Sequence, residues 1–245
     1  MTQSAPVHDV PRWVPALLSF TAGYVDSYTY LALFGLFVAQ VTGSFVTAGA
    51  QFVVYDIGIV GKLIAILAFL VAAASTAALI GFARDKGHDG LPWMLALETL
   101  LLAVFCLLML AGSPVAGPDD WHGIVAGAFA AMAMGAQSVA VRLLMRGIPQ
   151  TNVMTGNMTQ LGIETTELIR GWRRCAREPH DEAHVRDFLA VRARLLVVLS
   201  ITVGFLFGAV CGAAAFAKAA LPGIPLAVLL TGTLALWSIR RSQAA

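Results

Sequence analysis

Charged residues are scarce in this sequence. Aspartate, glutamate, lysine and arginine make up only 12% of its 245 residues, whereas 58% are hydrophobic. A soluble domain usually carries about 25% charged residues. Apolar runs of about 20 residues, long enough to cross a hydrocarbon core of roughly 30 Å, recur along the chain. The composition excludes an ordinary soluble domain and predicts an all-α, polytopic membrane protein with the lipid bilayer as a partner.

Other absences exclude several classes of function. The three cysteines, Cys106, Cys175 and Cys211, have no CxxC or paired spacing, so they indicate neither a disulfide framework nor a metal site. A net charge of +2 is too small to indicate nucleic-acid binding. The chain has no Walker loop, nucleophile elbow, zinc-protease motif or dinucleotide fingerprint. We therefore expect no enzyme, no catalytic residue, no cofactor and no nucleic-acid partner.

Six apolar segments are predicted to be membrane spans. The first has no basic leader before it and is too long for a signal peptide, so we expect it to be retained. The predicted spans cover residues 13–39, 59–83, 91–111, 122–145, 195–217 and 224–239. Two shorter helical stretches, residues 45–55 and about 157–174, are predicted not to cross, and a charged loop is predicted over residues 175–194. The last span is short, and a homodimer would shield it.

The positive charges predict the orientation of the chain. With six spans and a cytoplasmic N-terminus, all but two of the 16 lysines and arginines fall on the cytoplasmic side. The exceptions are Lys62 and Lys218. Since basic residues accumulate in cytoplasmic loops, both termini are predicted to be cytoplasmic.

Six spans divide into two units of three, residues 13–111 and 122–239. Because three is odd, the second unit enters the membrane from the opposite face, which predicts inverted repeats. Gly23 precedes Thr42 by 19 residues, and Gly135 precedes Thr155 by 20. Small residues at every fourth position predict close helix contacts in the middle span of each unit. These are Ala73, Ala77 and Gly81 in the first unit, and Gly204, Gly208 and Gly212 in the second.

Each unit also carries a Thr-Gly motif where a long span ends. The motifs are Thr42-Gly43-Ser44 and Thr155-Gly156-Asn157. The glycines are predicted to make the backbone turn, and the Thr, Ser and Asn side chains to cap the half-helix that follows. Uncapped N–H groups at such an N-terminus favour anions. We therefore predict a solute site between the two breaks; the alternative is a pair of capped interfacial helices with a packing role.

Asp26 lies near the middle of the first predicted span. A carboxylate at that depth costs several kcal/mol unless it is protonated, paired or hydrated. It is a candidate for proton or cation coupling, and the alternative is a structural carboxyl satisfied by its neighbours. Tyr24 and Gln137 are predicted to flank the solute site, and Gln137 is the predicted partner of Asp26.

These motifs together resemble the bacterial YoaK family, also called the DUF1275 membrane proteins. The resemblance rests on Gly23-Tyr24-x-Asp26, Phe37-Val38-Ala39-x-x-Thr42-Gly43, Gly135-x-Gln137 and Thr155-Gly156-Asn157. It covers residues from about 15 to 239. Ser44 stands where the first motif of the family usually has Asn. The resemblance implies a bacterial inner-membrane protein and adds no substrate.

Two hypotheses for the function follow. The first is a secondary transporter or permease for a small polar or anionic solute, coupled to protons through Asp26. The second is a membrane scaffold or accessory subunit that binds a partner helix through its glycine stripes. A polar cavity between the two breaks favours the first, and a space filled by Phe and Leu side chains favours the second.

Overall fold

A computed structural model of the chain describes residues 10–54, 57–112, 114–145, 147–178, 181–219 and 225–243. Within these ranges the chain forms eight helices and no strand. The helices are α1 Trp13–Ala32, α2 Val41–Val54, α3 Ile59–Asp85, α4 Gly90–Ala111, α5 Trp121–Leu144, α6 Met154–Arg177, α7 Glu182–Ala219 and α8 Pro225–Gln243. The predicted all-α class is confirmed for the described chain.

Four of the described helices are long and apolar enough to cross a membrane. They are α3, α4, α5 and the Glu182–Lys218 part of α7. Large apolar side chains point outward from them, for example Leu70 of α3 and Phe207 of α7, each 63% exposed. In water such a surface would be unfavourable, whereas lipid solvates it. The protein is therefore membrane-embedded.

The main helix contacts are backbone to backbone. α1 packs most extensively on α7, and α5 packs most extensively on α3. A Cβ atom added to Gly208 of α7 would clash with the carbonyl oxygen of Phe20 in α1, and one added to Gly135 of α5 would lie 2.6 Å from the carbonyl oxygen of Phe69 in α3. Since no side chain fits between these backbones, glycine is required where the helices cross.

The predicted small-residue stripe is right for α7 and wrong for α3. Gly204, Gly208 and Gly212 all lie against backbone carbonyls of α1. In α3, however, Ala77 is exposed and Gly81 has open space beside it. The face of α3 that packs is formed by Ala65, Phe69, Ala72, Thr76 and Ile80. A strict spacing of four drifts around a helix of 3.6 residues per turn, so a frequent residue such as alanine gives a poor indication of which face is buried.

The helix bounds correct two other predictions. The predicted first span ran to residue 39, but α1 ends at Ala32 and residues 33–39 are not helical. The predicted charged loop over residues 175–194 is wrong for most of its length. α6 continues to Arg177 and α7 begins at Glu182, and these two helices pack together. Hydrogen bonds within the two helices satisfy the backbone over most of this stretch, so no long irregular loop is needed.

The remaining helices complete the packing around α5. α4 lies against both α5 and α8, and α2 packs mainly on α3. The largest buried cluster joins Tyr28 of α1, Phe105 of α4 and Met134 of α5. α2 contributes little to it, and Phe52 and Val53 of α2 are 71% and 82% exposed.

Candidate functional site

The break between α1 and α2 is an extended segment that returns to α1. Phe34 and Gly35 have positive φ angles of 53° and 82° and reverse the chain just after α1 ends. The backbone N–H groups of Val38 and Ala39 then donate to Asp26 Oδ1, each at 2.7 Å. Residues 33–40 therefore run back beside the helix they have left, and α2 starts next to Asp26.

The break between α5 and α6 is built in a similar way. Gly147 has a φ of 76° soon after α5 ends. The Gln137 side-chain amide of α5 then donates to Thr151 Oγ1 at 2.7 Å, and Asn152 Nδ2 donates to Ser138 Oγ at 2.6 Å. Both bonds span 14 residues, close to the 12 to 14 residues between Asp26 and its partners. In each break a polar side chain of the preceding helix holds the returning segment.

The third residue of each Thr-Gly motif makes the same kind of contact. The Ser44 hydroxyl donates to the carbonyl of Phe37 at 2.6 Å and accepts from its N–H at 3.1 Å. Asn157 Nδ2 donates to the carbonyl of Gln150 at 2.7 Å. The partner lies seven residues upstream in both motifs. Ser at the first motif and Asn at the second therefore perform one task, which is to hold the extended segment against the first turn of the helix.

These contacts correct two predictions about the motifs. Gly43 and Gly156 are not the turning residues, because the positive φ angles belong to Phe34, Gly35 and Gly147. A Cβ on Gly43 would instead lie 2.7 Å from the Phe37 ring, so this glycine makes room for a side chain. The predicted capping role is also wrong, since α6 has no side-chain cap and Ser44 and Asn157 contact the chain upstream of their helices. The motifs lie inside the first turns of α2 and α6, where they fasten each helix to its own lead segment.

The two breaks meet at a cavity of about 150 Å³, which we call the inter-break cavity. It is lined from the first break by Ala39, Gln40, Val41 and Thr42, from the second by Asn152, Val153, Met154 and Thr155, and otherwise by Phe69 and Ser138. Half of these side chains are polar. Thr42 and Thr155 are both exposed, so the cavity opens at the surface of the single chain.

The inter-break cavity has free hydrogen-bonding capacity of both kinds. Asn152 is 3% exposed, and its Oδ1 atom is buried with no hydrogen-bond partner. The start of α6, which begins at the cavity, has no side-chain cap, and the first N–H groups of a helix have no partner within the helix. A residue of the cavity lining thus has an unpartnered acceptor, and the helix that starts beside it has no side-chain cap. A buried polar atom without a partner costs about 1–3 kcal/mol, so a polar ligand would be stabilised there.

The other predicted site residues lie behind this cavity or away from it. Asp26 is 3% exposed, and it accepts hydrogen bonds from the backbone N–H groups of Ala39 and Gln40, two residues of the cavity lining. Gln137, at 1% exposed, donates to Thr151 and to the carbonyl of Leu18 at 3.0 Å, and not to Asp26 as predicted. Tyr24 is buried in α1 with its backbone carbonyl against Gly212, and it is not among the described residues that line the cavity.

The remaining residues of the two Thr-Gly motifs do not line the inter-break cavity. Gly43 and Ser44 pack inside the first break, on the residue Phe37. Gly156 and Asn157 line a second, larger cavity beside α7. Of the predicted solute-binding residues, the structure brings only Thr42 and Thr155 together at the inter-break cavity.

Sequence reasoning missed Gln40, Ser138 and Asn152. Gln40 and Asn152 are polar residues that precede the Thr-Gly motifs by two and three positions, whereas Ser138 lies inside the predicted span 122–145. Polar residues in a segment that must leave helical geometry inside a membrane are a usable signal, because the freed backbone needs partners. Phe69 carries no such signal, and only the packing of α3 on α5 brings it to the cavity.

One group of side chains outside the breaks has the composition of a metal site. Glu178, Asp181 and His184 lie at the start of α7 with their ligand atoms within 4.8 Å of one another. The two carboxylates are exposed, and His184 Nδ1 lies 3.2 Å from Glu178 and 3.3 Å from Asp181. The N–H of Ala183 donates to Asp181 and lowers the pKa of that carboxyl below its ordinary value. Asp181 caps the start of α7, and exposed carboxylates beside a histidine do not by themselves indicate a metal.

The geometry defines a class of protein: helical, membrane-embedded, and interrupted by two similarly built breaks that share one polar cavity. A family model described as "Protein of unknown function (DUF1275)" matches residues 14–237, and the chain belongs to that family. The resemblance read from the Gly-Tyr-x-Asp and Thr-Gly motifs is thereby confirmed. No curated protein and no solved structure matches the chain.

Proposed function

We propose that the protein is a secondary transporter or permease for a small polar or anionic solute. The observation that carries this proposal is the inter-break cavity, where both breaks contribute polar side chains and Asn152 Oδ1 has no partner. Broken helices inside a membrane are tolerated where they are buried in protein or line a water-filled cavity. A space of about 150 Å³ suits a solute of a few heavy atoms.

The proposed architecture has six spans, with α1 and α8 added to the four long apolar helices. Residues 13–111 and 122–239 form the two units, related as inverted repeats. The matching seven-residue contacts of Ser44 and Asn157 support this relation. The packing supports it as well. The first helix of the first unit, α1, lies on the third helix of the second unit, α7. In the same way, the first helix of the second unit, α5, lies on the third helix of the first unit, α3. Transporters of this kind bind their substrate at the interface of the repeats.

The proposed orientation puts both termini in the cytoplasm. It rests on the distribution of lysine and arginine, which is strongly one-sided under the six-span arrangement. The bacterial inner membrane as the location follows from the family resemblance.

The proposed solute would be recognised by hydrogen bonds from both of its sides. The uncapped start of α6 and the hydroxyls of Thr42 and Thr155 would donate to an acceptor or an anionic group. Asn152 Oδ1 would accept from a donor on the solute. A small polar molecule that carries both a hydrogen-bond acceptor and a donor satisfies the site best. A bare anion would use only the donors of the site.

Asp26 is proposed to couple protons or cations to the solute through the cavity wall. Its carboxylate accepts from the N–H groups of Val38, Ala39 and Gln40, at 2.7, 2.7 and 3.4 Å. Ala39 and Gln40 line the cavity on their other side. Charge-assisted hydrogen bonds are roughly twice as strong as neutral ones, so adding a proton to Asp26 would loosen that wall. The coupling would act on the shape of the site rather than by direct contact with the solute.

The function is tested by solute flux into liposomes that contain the purified protein. Stopped-flow light scattering would follow the entry of urea, glycine and formate, which probe neutral, zwitterionic and anionic solutes. We expect at least one of them to enter faster than into empty liposomes. Asn152→Leu, which removes the free acceptor and adds apolar bulk to the cavity, should abolish the difference. Thr165→Val is the matched control, because Thr165 is exposed on α6 and bonds only its own helix.

Other outcomes would decide against the proposal or part of it. Entry no faster than into empty liposomes for every probe, or undiminished entry with Asn152→Leu, would contradict transport through this cavity. Equal proton-gradient-dependent uptake by the unmodified protein and Asp26→Asn would remove the coupling role alone. The scaffold hypothesis would then be tested through the exposed apolar side of α2, where Phe52 and Val53 lie.

A further inference from the structure

A further cavity lies between α6 and α7 and has no part in the proposed mechanism. Its volume is about 600 Å³, within the range of small-molecule sites. We call it the α6–α7 cavity. Its polar lining consists of Arg12, Gln150, Asn157, Gln160, Glu164 and Arg194. Val153 lines both this cavity and the inter-break cavity, so the two are neighbours.

Glu164 is the buried charge of the α6–α7 cavity. It is 4% exposed, whereas Glu167, the other carboxylate of α6, is partly exposed. Its Oε1 atom accepts from Gln160 Nε2 at 2.8 Å and from Arg194 Nε at 3.0 Å. Its Oε2 atom is buried and has no partner, and Gln150 Oε1 is in the same condition. Two residues of the cavity lining therefore each have a buried acceptor atom without a donor.

The opposite charge lies at the rim of the same cavity. Arg194 contacts Glu164 through Nε, and its side chain is 58% exposed. Its two terminal amino groups make no hydrogen bond to another residue in the described part of the chain. Arg12 is a second exposed arginine on the lining. Two guanidinium groups and one carboxylate give the lining a net positive charge, with the negative group deepest.

We propose that the α6–α7 cavity binds a small zwitterion of the amino-acid type. Its ammonium group donates to Glu164 Oε2 and Gln150 Oε1, and its carboxylate lies between the guanidinium groups of Arg194 and Arg12. A simple anion would leave the buried acceptors unpaired and face the Glu164 carboxylate. A simple cation would satisfy Glu164 but meet two arginines. A molecule with both charges satisfies each group of the lining, and bidentate arginine contacts suit a carboxylate.

This site is independent of the proposed transport function, since binding can occur without flux. The experiment is isothermal titration calorimetry on the full chain purified in detergent, with L-serine, L-glutamine and L-leucine as ligands. Two fragments of leucine separate the charges: 3-methylbutylamine lacks the carboxylate, and 4-methylpentanoate lacks the ammonium. We expect saturable binding of at least one amino acid, and binding of each fragment about tenfold weaker or worse, which corresponds to roughly 1.4 kcal/mol.

Variants assign the binding to this cavity. Glu164→Gln keeps the shape and the Oε1 acceptor but removes the charge, and we expect it to weaken amino-acid binding at least about tenfold. Arg12→Gln, at an exposed position, should weaken binding of the amino acid and of 4-methylpentanoate but leave 3-methylbutylamine unchanged. Glu167→Gln is the control, because Glu167 lies on the same helix, is partly exposed, pairs with Arg170 and does not line the cavity.

Three results would overturn the proposal. They are the absence of saturable binding by all three amino acids, equal affinity in Glu164→Gln and the unmodified protein, and fragments that bind as tightly as leucine. If Glu164→Gln does not fold, Arg12→Gln still decides, since affinity unchanged by that substitution contradicts the carboxylate contact. Binding with no flux of the same ligand supports this site while leaving the transport proposal to its own test.

Discussion

At the scale of single residues, Asp26 has the clearest structural role. It is a buried carboxylate, and it is engaged by backbone N–H groups of the segment that precedes α2. This arrangement provides the extended segment with hydrogen-bond partners inside the protein, which a broken helix in a membrane needs. The same hydrogen bonds therefore underlie both hypotheses for Asp26, the structural carboxyl and the coupling group.

Removing the Asp26 carboxylate should destabilise the first break. Asp26→Ala leaves the N–H groups of Val38 and Ala39 buried without an acceptor, and we expect a loss of about 3 kcal/mol or more of unfolding free energy. Asp26→Asn retains an acceptor and should cost clearly less. Thermal unfolding in detergent, followed by tryptophan fluorescence, measures the difference. Equal melting temperatures for the two variants would contradict the role of the carboxylate as an anchor.

Two buried glutamates should respond in opposite ways to replacement by methionine. Glu98 of α4 is 1% exposed, and its Oε1 atom has no partner. Glu164 accepts two hydrogen bonds at Oε1, one from Gln160 and one from Arg194. Glu98→Met should therefore be neutral or stabilising, because an unpaired buried polar group is replaced by an apolar one. Glu164→Met should lower the melting temperature. A larger loss for Glu98→Met than for Glu164→Met would contradict this assignment of partners.

At the scale of elements, the crossing of α1 and α7 is the contact most sensitive to size. Gly204, Gly208 and Gly212 of α7 each lie against a carbonyl of α1, and Gly23 of α1 lies against the carbonyl of Phe205. The two helices thus interlock by glycines from both sides. An added methyl group cannot be accommodated by rotating a side chain, because the opposing atom belongs to the backbone.

Gly208→Ala should accordingly separate α1 from α7. We expect overpacking to cost about 1–3 kcal/mol or more, measured as a lower melting temperature in detergent. Gly81→Ala is the matched control, since Gly81 lies on α3 with open space around it. That change should be neutral or stabilising by up to about 1 kcal/mol through helix propensity. Similar effects of both substitutions would contradict the assigned interface.

At the scale of the whole molecule, the two breaks come together although about a hundred residues separate them. Thr42 and Thr155 line one cavity, and the contacts of α1 with α7 and of α3 with α5 hold the breaks on either side of it. Hydrogen bonds across the molecule strengthen the arrangement. The Ser19 hydroxyl of α1 lies 2.7 Å from the carbonyl of Thr151 in the second break and 2.8 Å from that of Ile201 in α7.

Cysteines at the two motifs should therefore cross-link. In a background without Cys106, Cys175 and Cys211, the pair Thr42→Cys and Thr155→Cys should react with a short bis-maleimide. A protease site is then placed between α4 and α5, inside the loop that the cross-link closes, so that the two cleaved fragments stay together on a denaturing gel only if the cross-link has formed. Cleaved but still joined fragments are the expected result.

The control for the cross-link is Thr42→Cys with Thr165→Cys. Thr165 lies ten positions beyond Thr155 on α6, roughly 15 Å along the helix, and is exposed. This pair should separate after cleavage. Efficient joining of the control pair, or separation of the Thr42 and Thr155 pair, would show that the breaks are not neighbours.

The sequence by itself determined the membrane class, the existence of two breaks and the packing stripe of α7. Each of these depends on local composition or on spacing along one helix: the scarcity of charge, the repeated Thr-Gly, and glycines at every fourth position. Gly43 and Gly156 could not be assigned correctly in this way. Turning the chain needs only a positive φ, which Phe34, Gly35 and Gly147 supply, whereas the need for a glycine at position 43 comes from the Phe37 ring.

The tertiary structure alone decided which side chains share a cavity. Thr155 faces the inter-break cavity, while Gly156 and Asn157, its next neighbours, line the α6–α7 cavity. Successive residues of a helix point about 100° apart, so a motif of three residues cannot all face one site. Which of them meets Thr42, and which meets Glu164, depends on how α6 is set against α7, a contact between distant parts of the chain that no local pattern contains.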